Sequence, residues 1–406
     1  MGMDTDFTLD GVKEARDRMR EIIHLTPLDY SHAFSKLTGG NLYLKLENMQ
    51  KTGSFKIRGA FNKISMLSDQ EKSRGVIAAS AGNHAQGVAF AASRSGLKAT
   101  IVMPEGSPIT KIMATRGYGA EVILSGRDYD ESYKKAREIQ EAEGTTYIHG
   151  FDDPLVIMGQ GTLGLEIIEQ LPLVEAVAVP VGGGGLIGGV AFTLKKINPR
   201  IKVYGVQSAG APAVFNFIKS GEMTGLCTPG TLADGINVGC PGEITLDLIR
   251  KYVDDVVLVD DEEISQAILM LLERTKVVSE GAGAAALAAV LHQKLSLGGL
   301  SAVAVVSGGN IDVNILSTII ERGLVKSGRR LRIRTIISDR PGSLQKIVSL
   351  VYSQQVNIIS IIHDRARLKV PIKEAEVEFV LETMNWDHIE NVAGAFRKAG
   401  YDIEVL

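Results

Sequence analysis

In the stretch ENMQKTGSFKIRGAF, Lys56 stands where a turn gives way to helical apolar spacing. A free lysine amine is protonated and solvated, and attacks nothing. Burial or a neighbouring cation lowers its pKa and frees it for a carbonyl carbon. Gly53, Ser54 and Phe55 precede it, a turn small enough for a flat ligand to approach the backbone. Taken alone, a first-turn lysine pointing to water fits equally. Three other stretches bear on the choice. VGGGGLIGG, residues 181–189, follows an apolar strand and opens a helix, so its amides and the helix start form a phosphate cradle. A close-packed strand–helix turn is the plainer alternative. Gly183, Gly185 and Gly188 also satisfy the dinucleotide G-x-G-x-x-G pattern, but the next strand ends at Gln207 and Ser208 without the acid that pattern requires. No Gly-Lys-Ser/Thr follows either, so a phosphate monoester suits the loop better than NAD or ATP.

SAGNHAQG, residues 80–87, again joins a strand to a helix. Ser80, Gly82 and the helix-start amides suit a carboxylate, and Asn83 can donate and accept. A plain helix cap with His84 packed behind it is the simpler reading. VVSGGN, residues 305–310, offers the Ser307 hydroxyl to a ring atom or a phosphate, or is only a turn. Together the four stretches supply a reactive amine, a phosphate cup, a carboxylate cup and one hydroxyl. Those are the parts needed to hold pyridoxal phosphate and an amino acid.

The elements that must position these loops alternate along the chain. NLYLKLEN, GVIAAS, ATIVMPEG, AEVILSG, EAVAVPVG, IKVYGVQ and SAVAVVSGGN read as strands. Between them run helical segments, among them SFKIRGAFNKISML, NHAQGVAFAASRS, ITKIMATRG, LIGGVAFTLKKIN and EEISQAILMLLERTKVV. Strands that are apolar throughout and separated by helices predict parallel sheets covered on both faces, an α/β class, with ligands beyond the strands' carboxyl ends. After Arg322 the pattern changes. GLVKSGRR is a short basic connection, and the remainder reads β-α-β-β-α-β, the ferredoxin-like order. The basic run Lys326, Arg329, Arg330, Arg332, Arg334 reads as a solvated linker and strand face rather than a nucleic-acid patch.

The chain's 406 residues call for two or three domains, and a net charge of -3 gives no electrostatic case for nucleic acid or an acidic membrane surface. Cys227 and Cys240 form neither a zinc pattern nor a disulfide framework. The polar N-terminus lacks a signal core and no apolar run is long enough for a bilayer, so a cytoplasmic setting without membrane partners is expected.

On Glu47 through Gly59, SAGNHAQG, GGGGLIGG and SGGN, in that order, the chain resembles the pyridoxal-phosphate threonine dehydratases (threonine ammonia-lyases) of the tryptophan-synthase-β-like fold, over about residues 10–322. Its tail resembles an ACT regulatory domain, with SDRPGSL where that domain's first strand turns into its first helix. The resemblance implies a fold-type II pyridoxal-phosphate enzyme with two parallel-sheet α/β subdomains. The catalytic domain would span residues 1–325, with a smaller subdomain at roughly 50–150 inserted in the larger one, then a linker at 326–330 and an ACT domain at 331–406. It further implies that Lys56, next to Phe55, carries the cofactor and then removes the substrate Cα proton. Asn83 would bond the cofactor's phenolic oxygen, Gly182, Gly183, Gly184, Gly185 and Leu186 its phosphate, and Ser307 its pyridine nitrogen. Ser80, Ala81, Gly82, Asn83 and His84 would receive the substrate carboxylate. The cofactor phosphate is the implied proton donor to the leaving hydroxyl.

L-Threonine would then give 2-oxobutanoate and ammonia, and L-serine pyruvate. Serine racemase shares the four loops, but the second serine of its SSGNH motif is Ala81 here. Gln207 and Ala213 stand where acidic metal ligands would be, so no strong divalent site is expected. An amino-acid sensor with a vestigial catalytic domain is a reading of a different class, and the intact lysine and serine oppose it. In the tail, Pro341, Gly342 and Ser343 offer helix-start amides to an effector carboxylate and Asn357 a second contact, with isoleucine or valine the first candidates. A homodimer or homotetramer is expected.

Overall fold

The computed structural model describes residues 7–221, 230–368 and 370–406; Cys227 lies outside them. The chain divides into two compact units, Met1–Ile311 and Asp312–Leu406.

Among the described residues the first unit holds ten strands: β1 (Leu28–Tyr30), β2 (Asn41–Leu46), β3 (Val76–Ala79), β4 (Ala99–Met103), β5 (Glu121–Leu124), β6 (Thr146–Tyr147), β7 (Ala176–Pro180), β8 (Lys202–Ser208), β9 (Asp255–Val259) and β10 (Ser301–Val306). They form a six-stranded sheet, β1-β2-β10-β7-β8-β9, and a four-stranded sheet, β5-β4-β3-β6. The smaller sheet is wholly parallel, and so is the larger one except for β1, which pairs antiparallel with β2. The expected parallel sheets are present. The antiparallel edge was not anticipated, because three residues are too few to show a period. Strands β3, β4, β7 and β10 are buried almost throughout, as helices on both faces require.

One core lies around the smaller sheet, with Phe61 and Ile64 of the helix Lys56–Ser65 against Ala78, Val88 and Ile101. Another joins Val177, Val179, Val203 and Val303 to Ile187 and Leu194 of the helix Gly185–Ile197. A helix absent from the sequence reading, Pro154–Gln170, is buried without a break from Val156 to Ile167. A further difference is at EEISQAILMLLERTKVV, where the α-helix ends at Met270, a π turn spans Leu271–Thr275, and Lys276 closes it at φ 61°. The Thr275 hydroxyl donates to the Leu271 carbonyl at 2.7 Å, supporting the wider turn.

The second unit opens with the helix Val313–Lys326. Among the described residues four antiparallel strands follow: β11 (Arg330–Ser338), β12 (Asn357–Asp364), β13 (Glu374–Glu382) and β14 (Ile403–Val405), in the order β12-β13-β11-β14. With the helices Ser343–Ser353 and Trp386–Lys398 this is a ferredoxin-like sheet over a core of Ile333, Ile347, Phe379, Val392 and Phe396.

Candidate active site

All four loops follow the carboxyl ends of strands in the first unit, where open parallel sheets place their ligands. Lys56 is the first residue of its helix and is half-buried. Its Nζ donates to the Gly150 carbonyl at 2.8 Å and sits 5.3 Å from the Phe55 ring centroid. Burial pulls the amine down to about 8, while the Glu280 carboxylate opposes that shift. The turn before it is tied to the end of β10: the Phe55 amide donates to the Ser307 carbonyl at 3.1 Å and the Gly309 amide to the Gly53 carbonyl at 2.9 Å. Lys56 and Ser307, 251 positions apart by number, are therefore parts of one site. The Ser54 hydroxyl is buried there without a hydrogen-bond partner among the described residues.

Because the free amine is the nucleophile, reloading of the stripped protein with pyridoxal phosphate should accelerate as pH rises through about 8 and level off above it. Stopped-flow absorbance checks this. A reloading rate still climbing near pH 10, where an ordinary lysine titrates, would place Lys56 in water.

The glycine loop is a cradle that side chains would fill. A Cβ on Gly183 would run into the Phe151 ring, and Gly184 takes φ 93°, with its Cβ site 2.8 Å from that of Thr245. The Thr245 hydroxyl donates to the Gly183 carbonyl at 2.7 Å. Gly185 and Leu186 begin the helix Gly185–Ile197, which has no capping side chain. Its first-turn amides are thus left for an anion, in a wall too close for any but glycine. Gly183→Ala would overpack this wall at a cost of about 1–3 kcal/mol. We expect the affinity for pyridoxal phosphate to fall roughly five- to 150-fold, read by fluorescence titration, with the fold retained by circular dichroism.

In the third loop, the Gly82 amide donates to the Ser80 hydroxyl at 3.2 Å, and Gly82 caps the helix Asn83–Arg94 without a side chain. Ala81 is half-buried beside them. His84 is buried, and its Nε2 meets the Ile148 carbonyl at 2.8 Å. Burial, aided by Lys56, holds this imidazole down at about 3, so it is neutral with Nε2 carrying the hydrogen. The ring of His84 serves the fold, and only its backbone belongs to the loop. Asn83 is held on both sides: its Oδ1 accepts from Asn310 Nδ2 at 2.7 Å, and its Nδ2 donates to Glu280 Oε1 at 2.6 Å.

Sequence reasoning missed Glu280, Asn310 and Phe151, and also the support beneath Lys56. Arg58 is fully buried and bridges Glu47, at 2.7 and 2.8 Å, to Glu166 on the helix Pro154–Gln170, at 2.6 and 2.9 Å. Lys45 donates to Glu166 at 2.7 Å, to Gln170 at 2.8 Å and to the Thr26 carbonyl at 2.7 Å. Burial alone would raise the Glu47 carboxyl, but Arg58, Lys45 and Thr26 hold it below its ordinary range. A signal existed: Lys45 lies in β2 and Glu47 directly follows its end, both buried, where charges must be paired.

Gln207 is buried, and its Oε1 accepts from the Phe215 amide at 2.9 Å. In the second unit, Gly342 precedes the helix Ser343–Ser353 at φ 87°, and Asn357 donates to Glu382 at 3.1 Å. Strand register separates these two expected contacts. Ser338, just before the Pro341–Ser343 turn, pairs with Glu374 at one end of β13, and Asn357 pairs with Glu382 at the other. Eight strand steps amount to roughly 26 Å, so a single copy of the unit does not bring them together.

The donor set fits pyridoxal phosphate: a depressed lysine amine, an amide-lined cradle of glycines, and an asparagine fixed by Asn310 and Glu280. The fold and site define a fold-type II pyridoxal-phosphate enzyme. Residues 19–308 match the family described as Pyridoxal-phosphate dependent enzyme. The chain is 51% identical over 400 residues, 98% of its length and 100% of the relative's, to L-threonine ammonia-lyase of Thermotoga maritima. Among solved structures it resembles the processed form of threonine deaminase isoform 2 from Solanum lycopersicum (TM-score 0.75, 40% identity, 79% of this chain and 89% of that one). It also resembles maize serine racemase (TM-score 0.73, 37% identity, 78% and 98%). The chain belongs to the pyridoxal-phosphate dependent enzyme family.

Proposed function

We propose that the protein is an L-threonine ammonia-lyase, forming 2-oxobutanoate and ammonia from L-threonine, and pyruvate and ammonia from L-serine. The observation that carries this is the half-buried Lys56 amine, depressed to about 8, in a turn tied by backbone hydrogen bonds to the Ser307 loop. Bound pyridoxal phosphate supplies the electron sink that makes the substrate Cα proton acidic. Lys56 carries the cofactor between turnovers and takes that proton during them. The amides of Gly182, Gly183, Gly184, Gly185 and Leu186 hold the phosphate, Asn83 meets the phenolic oxygen, and Ser307 faces the ring nitrogen. A neutral hydroxyl there does not enforce protonation of the ring, which favours prompt loss of the β-hydroxyl. The Ser80–His84 backbone orients the substrate carboxylate. Across the cycle the Cα–H and Cβ–O bonds break and water leaves. Water returns in the hydrolysis that releases ammonia.

Ala81 supports elimination over racemisation, since no hydroxyl stands there to return a proton from the opposite face. A ketoacid assay with L-threonine and L-serine, with chiral analysis of the residual serine, tests the reading. Ketoacid from both and no D-serine is expected; D-serine as the main product would replace this reading by racemisation.

The second unit is read as an ACT domain that binds isoleucine or valine. Its two candidate contacts, the Pro341–Ser343 turn and Asn357, stand at opposite ends of one sheet. A site using both therefore needs a second copy, which is the reason to expect a homodimer or homotetramer. An effector acts only by preferring one state, so its binding must change the rate. Calorimetry with branched-chain amino acids that gave no heat, together with an unchanged rate, would remove this role.

A further inference from the structure

Glu280 is the residue before the helix Gly281–Leu291, a position where side chains commonly cap their own helix. Here no capping bond is made. Its backbone is pinned to the end of β10, the Glu280 amide donating to the Gly308 carbonyl at 3.1 Å. Its side chain instead accepts from Asn83 Nδ2 at 2.6 Å. Asn83 Oδ1 accepts from Asn310, whose Nδ2 also donates to the Thr52 carbonyl at 2.9 Å. An amide has one acceptor oxygen and two N–H donors. Turning Asn83 over would set two NH₂ groups against each other at Asn310 and oxygen against oxygen at Glu280. The clamp therefore permits one orientation, with the oxygen and one hydrogen used and one hydrogen left.

We propose that Glu280 is a positioning residue: with Asn310 it locks the Asn83 amide so that its remaining hydrogen serves the cofactor's phenolic oxygen. The proposal rests on the reading of Asn83 given above. The groups facing Glu280 are Asn83, Lys111 of the helix Ile109–Gly117, Asp234 and Lys56. Burial pushes the carboxyl up to about 7, against Asn83, Lys111 and Lys56 and with Asp234. Either protonation state can accept from Asn83, but only the carboxylate adds charge beside the amide. The cofactor's absorbance therefore registers the ionisation of Glu280.

The test uses the pyridoxal-phosphate holoenzyme of the parent, Glu280→Gln and Glu280→Ala, with visible spectra, kcat and KM followed between about pH 5 and 9. Glutamine can accept the same bond and cannot titrate. Glu280→Gln should keep the band and most of kcat, and lose the spectral transition near pH 7. Glu280→Ala frees the amide, so the band should shift and kcat fall about ten- to a hundredfold, with KM little changed. An alanine variant whose band and pH profile superimpose on the parent's overturns the proposal. So does a glutamine variant that keeps the transition near pH 7. A parent protein that binds no pyridoxal phosphate would instead overturn the functional reading itself.

Discussion

Replacing Lys56 with alanine is expected to abolish ketoacid formation from both L-threonine and L-serine. The variant loses two roles at once. It cannot hold the cofactor covalently, and it has no base at the substrate Cα. A positioned general base alone contributes about 10²–10⁴ in rate, and the loss of covalent attachment adds to that, so kcat should fall by at least about 10⁴-fold. Borohydride should label Lys56 in the parent and nothing in the variant, and the visible band of the parent should disappear. The fold should survive, since among the described residues the Lys56 amine donates only to the Gly150 carbonyl, and alanine is a better helix former at that first-turn position. Lys56→Arg separates the roles further: it keeps positive charge and length but remains protonated at every accessible pH, and should be as inactive. Ammonia release from the alanine variant at a rate near the parent's would mean that another group does the chemistry.

The four loops were legible because each is a local event. A strand end, a run of small residues and a helix start occupy fewer than about a dozen positions, and their chemistry follows from backbone amides rather than from distant partners. The ferredoxin-like tail was legible for the same reason, through alternation such as that of β11, whose side chains are buried at Leu331, Ile333, Thr335 and Ile337. What escaped was non-local or aperiodic. Glu280 and Asn83 are 197 positions apart, and Arg58 and Glu166 are 108 apart. The helix Pro154–Gln170 is buried all round from Val156 to Ile167, so its apolar residues show no amphipathic period. Nor was the distance between the Pro341–Ser343 turn and Asn357 legible, because strand register, which aligns Ser338 with Glu374 and Asn357 with Glu382, is a non-local property.

Arg58→Leu should be the most destabilising single change in the network beneath the site. In the parent, Lys45, Glu47, Arg58 and Glu166 form a neutral group of two cations and two carboxylates, with Glu166 and Glu47 both bonded to the guanidinium. Leucine leaves two carboxylates to share Lys45, with Glu47 and Lys45 fully out of water. Breaking a buried ion pair by removing one partner costs about 3–5 kcal/mol, against which the apolar gain of leucine is small. Urea unfolding should show that loss, and a cost below about 1 kcal/mol would mean that water or a shift of the helices relieves the stranded charge. The pH dependence carries the argument further. In the parent the Glu47 carboxyl is held below its unfolded value, so its contribution is present above the ordinary carboxylate range and is lost as pH falls through the depressed native pKa. Without Arg58 burial dominates and the native pKa rises above the unfolded one. The variant is then penalised most at neutral pH and recovers as Glu47 protonates, so the stability gap between parent and variant should narrow on acidification. Adding Glu47→Gln to Arg58→Leu removes the stranded charge and should restore more than half of the loss at pH 7. A double variant no more stable than the single one would show that the guanidinium holds the helices by shape rather than by charge.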